Sequence, residues 1–328
     1  MILEAAFILA GAYFILKGAD WVSDAAVDLA RMFKTTNVAV GILLVSVVLS
    51  LPELLVAVFS VAKGHPSLAI GVSIGSVVIN LGLIVGIAAI IKPIRMPRHV
   101  VARDVIFMVS ATLVVALLGL GDYSISRRDG IIFLVLFIPY VINVFEQERM
   151  LAQKERKKES EDITKTLQMF GHVNKVGVLV FNDSRIIFIV GLAMLLVGTQ
   201  LFTDGIIGIV QALAVPEVLI GITLGALGPS IPNLAAAFSA ARKNQEDLVV
   251  SESVGSNTFT LLVTLGFLSI ISPLAMDPAT ALVTIPALVA ITFVFLIFSL
   301  SGWITREAGA VLLAFYALSI LLEFIARG

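Results

Sequence analysis

Gly41-Ile-Leu-Leu-Val-Ser-Val-Val-Leu-Ser50-Leu-Pro52-Glu53-Leu decides the fold of this chain, and it lies inside an apolar run from Val38 to Ala62. A run of that length is enough to cross the hydrocarbon core of a bilayer as a helix. Pro52 removes a backbone donor and crowds the preceding turn, which predicts a break in the helix there. Glu53 places an ionisable group near the midplane, where such groups are costly and usually functional. Both are tolerated where the freed carbonyls and the carboxylate face a cavity or a cation instead of lipid.

The stretch returns 180 residues downstream as Gly221-Ile-Thr-Leu-Gly-Ala-Leu-Gly-Pro-Ser230-Ile-Pro232-Asn233-Leu. Gly18 falls on Gly198, Asp24 on Asp204, Ser50 on Ser230, Pro52 on Pro232, Lys63 on Lys243, Gly75-Ser76 on Gly255-Ser256 and Pro93 on Pro273. Of the 83 positions compared between 11–93 and 191–273, 22 are identical with no gap, so the chain is an internal duplication. Duplicated broken helices in one membrane protein imply a transporter whose site lies where the repeats meet.

The rest of the composition agrees. Of 328 residues 59% are hydrophobic and 14% charged, with a mean hydropathy of +1.06, too little polar surface for a soluble domain of this length. With no cysteine, disulfides and thiolate metal sites are excluded. Glu4 and the lack of a basic leader mark the N-terminus as a first span and not a cleaved signal.

The fold class that follows is an all-α polytopic membrane protein of ten transmembrane helices, arranged as two inverted five-helix repeats with broken helices at the site. The spans run approximately 2–30, 37–62, 66–91, 101–120, 128–146, 185–212, 216–241, 247–271, 279–300 and 305–326, and are numbered here 1 to 10. Residues 1–146 form the first repeat, 147–184 a cytoplasmic linker containing Lys154-Glu-Arg-Lys-Lys158, and 185–328 the second repeat. With the linker inside, the cytoplasmic loops collect 17 basic residues against 4 outside. The positive-inside rule is then satisfied with both termini extracytoplasmic, and five spans per half invert the second repeat.

Span 3 carries Ser73, Ser76 and Asn80 at helical spacings of three and four, on one face. Gly71 and Gly75 let a second backbone approach that face. Span 8 answers with Ser251-Glu252-Ser253-Val-Gly255-Ser256-Asn257-Thr-Phe-Thr260. Crossing these faces with the proline breaks gathers hydroxyl, amide, carboxylate and carbonyl oxygens around one point, a donor set for a hard cation.

Gly41–Asn80 and Gly221–Thr260 resemble the two α-repeats of the cation/calcium antiporter superfamily, nearest to microbial sodium/calcium exchangers, and the likeness covers nearly the whole chain. It extends to Ser-Arg-Arg-Asp-Gly130 before span 5 and Ile-Thr-Arg-Glu-Ala-Gly309 before span 10. The resemblance implies exchange of sodium for calcium or a related divalent ion by alternating access, with spans 1 and 6 sliding against the remaining bundle. It implies Glu53 as the chelating carboxylate shared with sodium, and Ser50, Ser76, Asn80, Ser230 and Ser256 as neighbouring ligands.

The departures are specific. The family's Gly-Thr-Ser is here Val48-Leu49-Ser50 and Gly228-Pro229-Ser230, its second carboxylate is Asn233, and the acid or amide that follows on span 8 is Thr260. Losing one carboxylate at contact distance removes about several kcal/mol even at an effective dielectric near ~20. Glu252, one helical turn before Ser256 and on the order of 8 Å in from Asp247, either restores that charge or is an acid at a helix mouth. In the first case a divalent ion is carried; in the second, one carboxylate suits a monovalent cation or a proton. A transport-inactive scaffold is the reading from a different class.

Lys17, with Asp20 and Asp24 in span 1, reads as a snorkelled or ion-paired lysine, and Asp24 and Asp204 as helix-end acids. His65, His99 and His172 fall in separate loops, and Trp21 and Trp303 read as interfacial anchors. No nucleophile constellation, phosphate-cradling loop or basic nucleic-acid surface is present, so the chain reads as no enzyme. The expected partners are membrane lipid and inorganic cations; no cofactor is called for beyond the transported ions, and oligomeric state is not encoded in any motif.

Overall fold

The computed structural model describes residues 1–32, 38–154, 183–242 and 246–327, and these are almost entirely helical. Most of the linker, with His172, and Lys34 and Lys243 lie outside them. Among the described residues eight helices are long and apolar enough to cross a membrane, at spans 1, 3, 4 and 6 to 10. Spans 2 and 5 coincide with helices Val38–Ala62 and Arg127–Lys154, the second running on past the expected end at residue 146. The protein is an integral, multi-pass membrane protein.

The proline breaks are a correction. Val38–Ala62 is one helix with Pro52 inside it, and Ala226–Arg242 contains both Pro229 and Pro232. A helix packed on all sides can absorb a missing donor by bending when its neighbours hold it. The interruptions take another form: π-helical turns at Ile79–Ile84 in span 3, Gly221–Gly225 in span 7 and Thr260–Thr264 in span 8. Pro229 has no amide for the Gly225 carbonyl and its ring crowds it, which accounts for a widened turn ending there. Asn80 and Thr260 both sit in such turns.

The repeat relation is visible as contacts made twice. A methyl on Gly11 would lie 2.7 Å from the Gly198 carbonyl oxygen, and one on Gly18 would lie 2.8 Å from that of Gly191. These are equivalent contacts with the halves exchanged. Because position rises in span 1 as it falls in span 6, the two equivalent spans run antiparallel and the repeats are inverted. Short ladders repeat the theme: Ile94 pairs with Ile304 and Arg95 with Trp303, while Leu274 pairs with Ile125 and Ala275 with Ser124. Each ladder joins one half to the other. The offset has become 179 by this point, as it is between Gly130 and Gly309.

Spans 3 and 7 meet backbone to backbone. A Cβ on Gly71 would stand 2.5 Å from the Val218 oxygen, and one on Gly221 2.6 Å from the Leu68 oxygen. Only glycine permits this approach, and it brings the oxygen-bearing turns of both halves to the centre of the bundle. The apolar core packs around them: Val56, Ile70, Ile74, Val77, Val254 and Leu261 are buried.

Candidate cation site

Glu53 is 1% exposed, one residue past Pro52 on span 2. Its Oε1 accepts hydrogen bonds from Ser230 Oγ at 3.1 Å and Asn233 Nδ2 at 3.2 Å, both on span 7. Its Oε2 has no partner. The hydroxyls of Ser50 and Ser256 lie 2.8 Å apart, bridging spans 2 and 8. The equivalent pair with the halves exchanged would be Ser230 and Ser76. Ser230 is turned to Glu53 instead, and Ser76 Oγ is left without a partner. An acid at 53 opposite an amide at 233 takes this part of the site off two-fold symmetry.

On the neighbouring faces, Asn80 Nδ2 donates to Asn257 Oδ1 at 2.9 Å, and Asn257 Nδ2 reaches Met108 Sδ at 3.8 Å. This chain of amides leaves Asn80 Oδ1 unpaired. Asn257 sits among the predicted residues but is absent from the expected ligands, since its repeat equivalent is Val77 and duplication gives no signal for it. Ser73 donates to the Ala69 carbonyl of its own helix at 2.9 Å, a local bond that draws the hydroxyl back along span 3. Its equivalent Ser253 has no such partner, nor do the hydroxyls of Thr260 and Thr264.

Glu252 is 5% exposed, with one carboxylate oxygen unpaired, and it stands one helical turn before Ser256, whose hydroxyl meets Ser50. All ten residues expected at the site are therefore buried, from spans 2, 3, 7 and 8. His65 is engaged elsewhere, with its Nδ1 2.6 Å from Glu217 Oε1. Nor does Asp204 act as a bare helix-end acid, because it forms an ion pair with Lys63.

The chemistry of the unsatisfied atoms is uniform. Ten buried side-chain polar atoms among the described residues lack a hydrogen-bond partner; every one is an oxygen, and eight belong to spans 2, 3, 7 and 8. Each unpaired buried polar group costs about 1–3 kcal/mol. Native proteins keep few of them, so unpaired oxygens gathered on four packed spans mark a candidate site for a positive ligand. The set suits a hard cation, which takes carboxylate, amide and hydroxyl oxygens.

Comparison with known proteins gives the same direction. The family described as sodium/calcium exchanger protein matches residues 3–145 and 184–325. The putative antiporter CaxA of Alkalimonas amylolytica is 29% identical, with 95% of this chain and 96% of that protein covered. The sodium/calcium exchanger MaX1 of Methanosarcina acetivorans is 26% identical, with 97% of each covered. A solved structure of the sodium-calcium exchanger NCX_Mj, soaked with sodium and calcium, superposes with a TM-score of 0.67 at 28% identity, over 98% of each chain. On its family match, its fold and its duplicated oxygen-lined centre, this chain belongs to the sodium/calcium exchanger protein family.

Proposed function

We propose that this protein is a secondary cation antiporter that exchanges sodium for calcium or a related divalent ion by alternating access. The ion is held at Glu53 Oε2 together with Ser50, Ser76, Asn80, Ser230, Asn233, Ser256 and Thr260, and Ser73 supports the same face. The carrying observation is the cluster of unpaired buried oxygens around a carboxylate that no basic side chain neutralises among the described residues. Glu53 is free on one oxygen and anchored on the other, so it is oriented yet available. MaX1 and NCX_Mj are named sodium/calcium exchangers, which favours this pair of ions.

Ten spans, split into residues 1–146 and 185–328 around a cytoplasmic linker at 147–184, place the termini outside by the distribution of Lys and Arg. The membrane we assign is that of a prokaryotic cell, as for the relatives from Alkalimonas amylolytica and Methanosarcina acetivorans. Spans 1 and 6, joined along Gly11, Gly18, Gly191 and Gly198, form the pair that slides. The test is uptake of radiolabelled calcium into vesicles carrying the purified protein and loaded with sodium. Accumulation that needs the outward sodium gradient supports exchange; sodium or proton flux indifferent to calcium would replace this reading with a monovalent one.

A further inference from the structure

Buried acids among the described residues fall into two groups. Asp104 is 4% exposed and receives two bonds of 2.7 Å from Arg103. Glu323 is 1% exposed and receives Arg327 Nε at 2.8 Å and the Thr284 hydroxyl at 2.5 Å. Each has its own arginine, as a permanently buried charge requires. Glu53 and Glu252 are buried to the same degree, yet no Lys, Arg or His among the described residues forms an ion pair with either, and each keeps an unpaired oxygen.

Glu252 is not placed as an acid at a helix mouth would be. It lies within helix Glu246–Phe259, roughly 9 Å from its start, and is closed off from solvent. It stands one helical turn before Ser256, whose hydroxyl meets Ser50 on the turn that carries Glu53. Ser253, beside it, is fully buried at 0% exposure. Two buried carboxylates without a protein counter-charge stay ionised together only when a cation joins them; otherwise they take up protons.

We propose that Glu252 is the second charged ligand of the transported divalent cation, and that with Ser253 it sets the preference for a doubly charged ion. This deepens the assignment of the Glu53 site and rests on it. The repeat equivalent of Glu252 is Val72, so the two acids are not symmetry mates. The cation is drawn off the two-fold centre toward span 8, and the site reads charge through one ligand from each half.

The experiment is calcium binding to the purified full chain by calorimetry, beside sodium-driven calcium uptake in vesicles. Glu252→Gln is expected to weaken calcium by at least roughly tenfold while sodium binding changes less, since the missing charge acts twice on a divalent ion. Glu252→Asp is expected to keep most of the affinity. Moving the acid, as Glu252→Gln with Asn233→Glu, is expected to recover it, because Asn233 already touches Glu53. Wild-type calcium affinity in Glu252→Gln would overturn the proposal. So would a loss that neither the aspartate nor the relocated acid recovers, which would mark Glu252 as structural. If the wild type binds no calcium, or Glu53→Gln binds it unchanged, the underlying site assignment fails; normal behaviour at both with indifference at Glu252 removes only this ligand.

Discussion

Asn233 donates its side-chain amide to Glu53 Oε1 at 3.2 Å, and the two residues occupy equivalent positions of the two halves, 180 apart. Equivalent residues touch only near the pseudo-two-fold axis, so this bond marks the centre of the site. It uses one carboxylate oxygen to fix the side chain and leaves Oε2 for an ion. Glu53→Gln is therefore expected to abolish sodium-dependent calcium uptake, by at least roughly a hundredfold in initial rate, since a neutral amide replaces the central charge. The fold should persist, with a thermal midpoint in detergent close to wild type. Uptake near the wild-type rate would remove Glu53 from the ion path.

The contact between spans 3 and 7 predicts a steric result. Gly71→Ala and Gly221→Ala each push a methyl to about 2.5–2.6 Å from a main-chain oxygen, where no rotamer relieves it. A loss of about 1–3 kcal/mol per substitution is expected, read as a lower thermal midpoint together with slower exchange. Gly121→Ala is the control, because nothing lies within 4 Å of its Cβ. Equal stability of all three would show that spans 3 and 7 stand further apart.

The duplication made much of this legible before any coordinates. Ser50 with Ser230 and Ser76 with Ser256 are repeated, Glu53 follows the repeated Pro52, and all five are buried. What the duplication could not mark is where the halves differ: Asn257, opposite Val77, joins the amide chain unannounced. The prolines misled about backbone shape, since their local effect predicts a break while packing against neighbouring helices carries the chain through as continuous helix with π turns nearby. Pairing across the halves was hidden too. Lys63 and Asp204 are each duplicated in the sequence, but periodicity relates a residue to its own helix and not to a helix 141 positions away.

That ion pair carries a prediction about motion. Lys63 follows span 2, whereas Asp204 is on span 6, one of the two helices expected to slide. Their sequence equivalents are Lys243 and Asp24, and Lys243 lies outside the described residues. Both partners are part exposed, so the pair contributes at most about 1 kcal/mol. Asp204→Asn is then expected to change the exchange rate by no more than about fivefold, and less at high salt, where exposed pairs are screened. Exchanging the residues, as Lys63→Asp with Asp204→Lys, should return the wild-type rate and salt dependence. A rate independent of all these changes would mean that span 6 does not move past this corner.

On the same side of the bundle by the order of the spans, Arg327 gathers a network that predicts both stability and its dependence on pH. Its guanidinium bonds Glu323 and the Thr280 hydroxyl, and forms an ion pair with Asp277, tying span 10 to the start of span 9. Removing it as Arg327→Met leaves Glu323 as a buried charge with only Thr284, at a cost of about 3–5 kcal/mol. Replacing both, as Arg327→Met with Glu323→Leu, should recover most of that, because the desolvated charge goes with its partner. Asp277 is different, with its side chain 46% exposed. Partial burial pushes its carboxyl up, but hydrogen bonds from Thr280 and Arg327 outweigh this and hold it below the ordinary value of 3.8. A group depressed in the folded state adds stability above its unfolded value and loses it as pH falls through the folded one. The thermal midpoint in detergent should therefore owe nothing to Asp277 titration between pH 5 and 8 and show its loss only below about pH 4. In Asp277→Asn that acid-side component should be absent, with only a small change at neutral pH since the pair is half in solvent. A neutral-pH loss as large as that of Arg327→Met would show instead that Asp277, and not Glu323, is the acid the arginine chiefly holds.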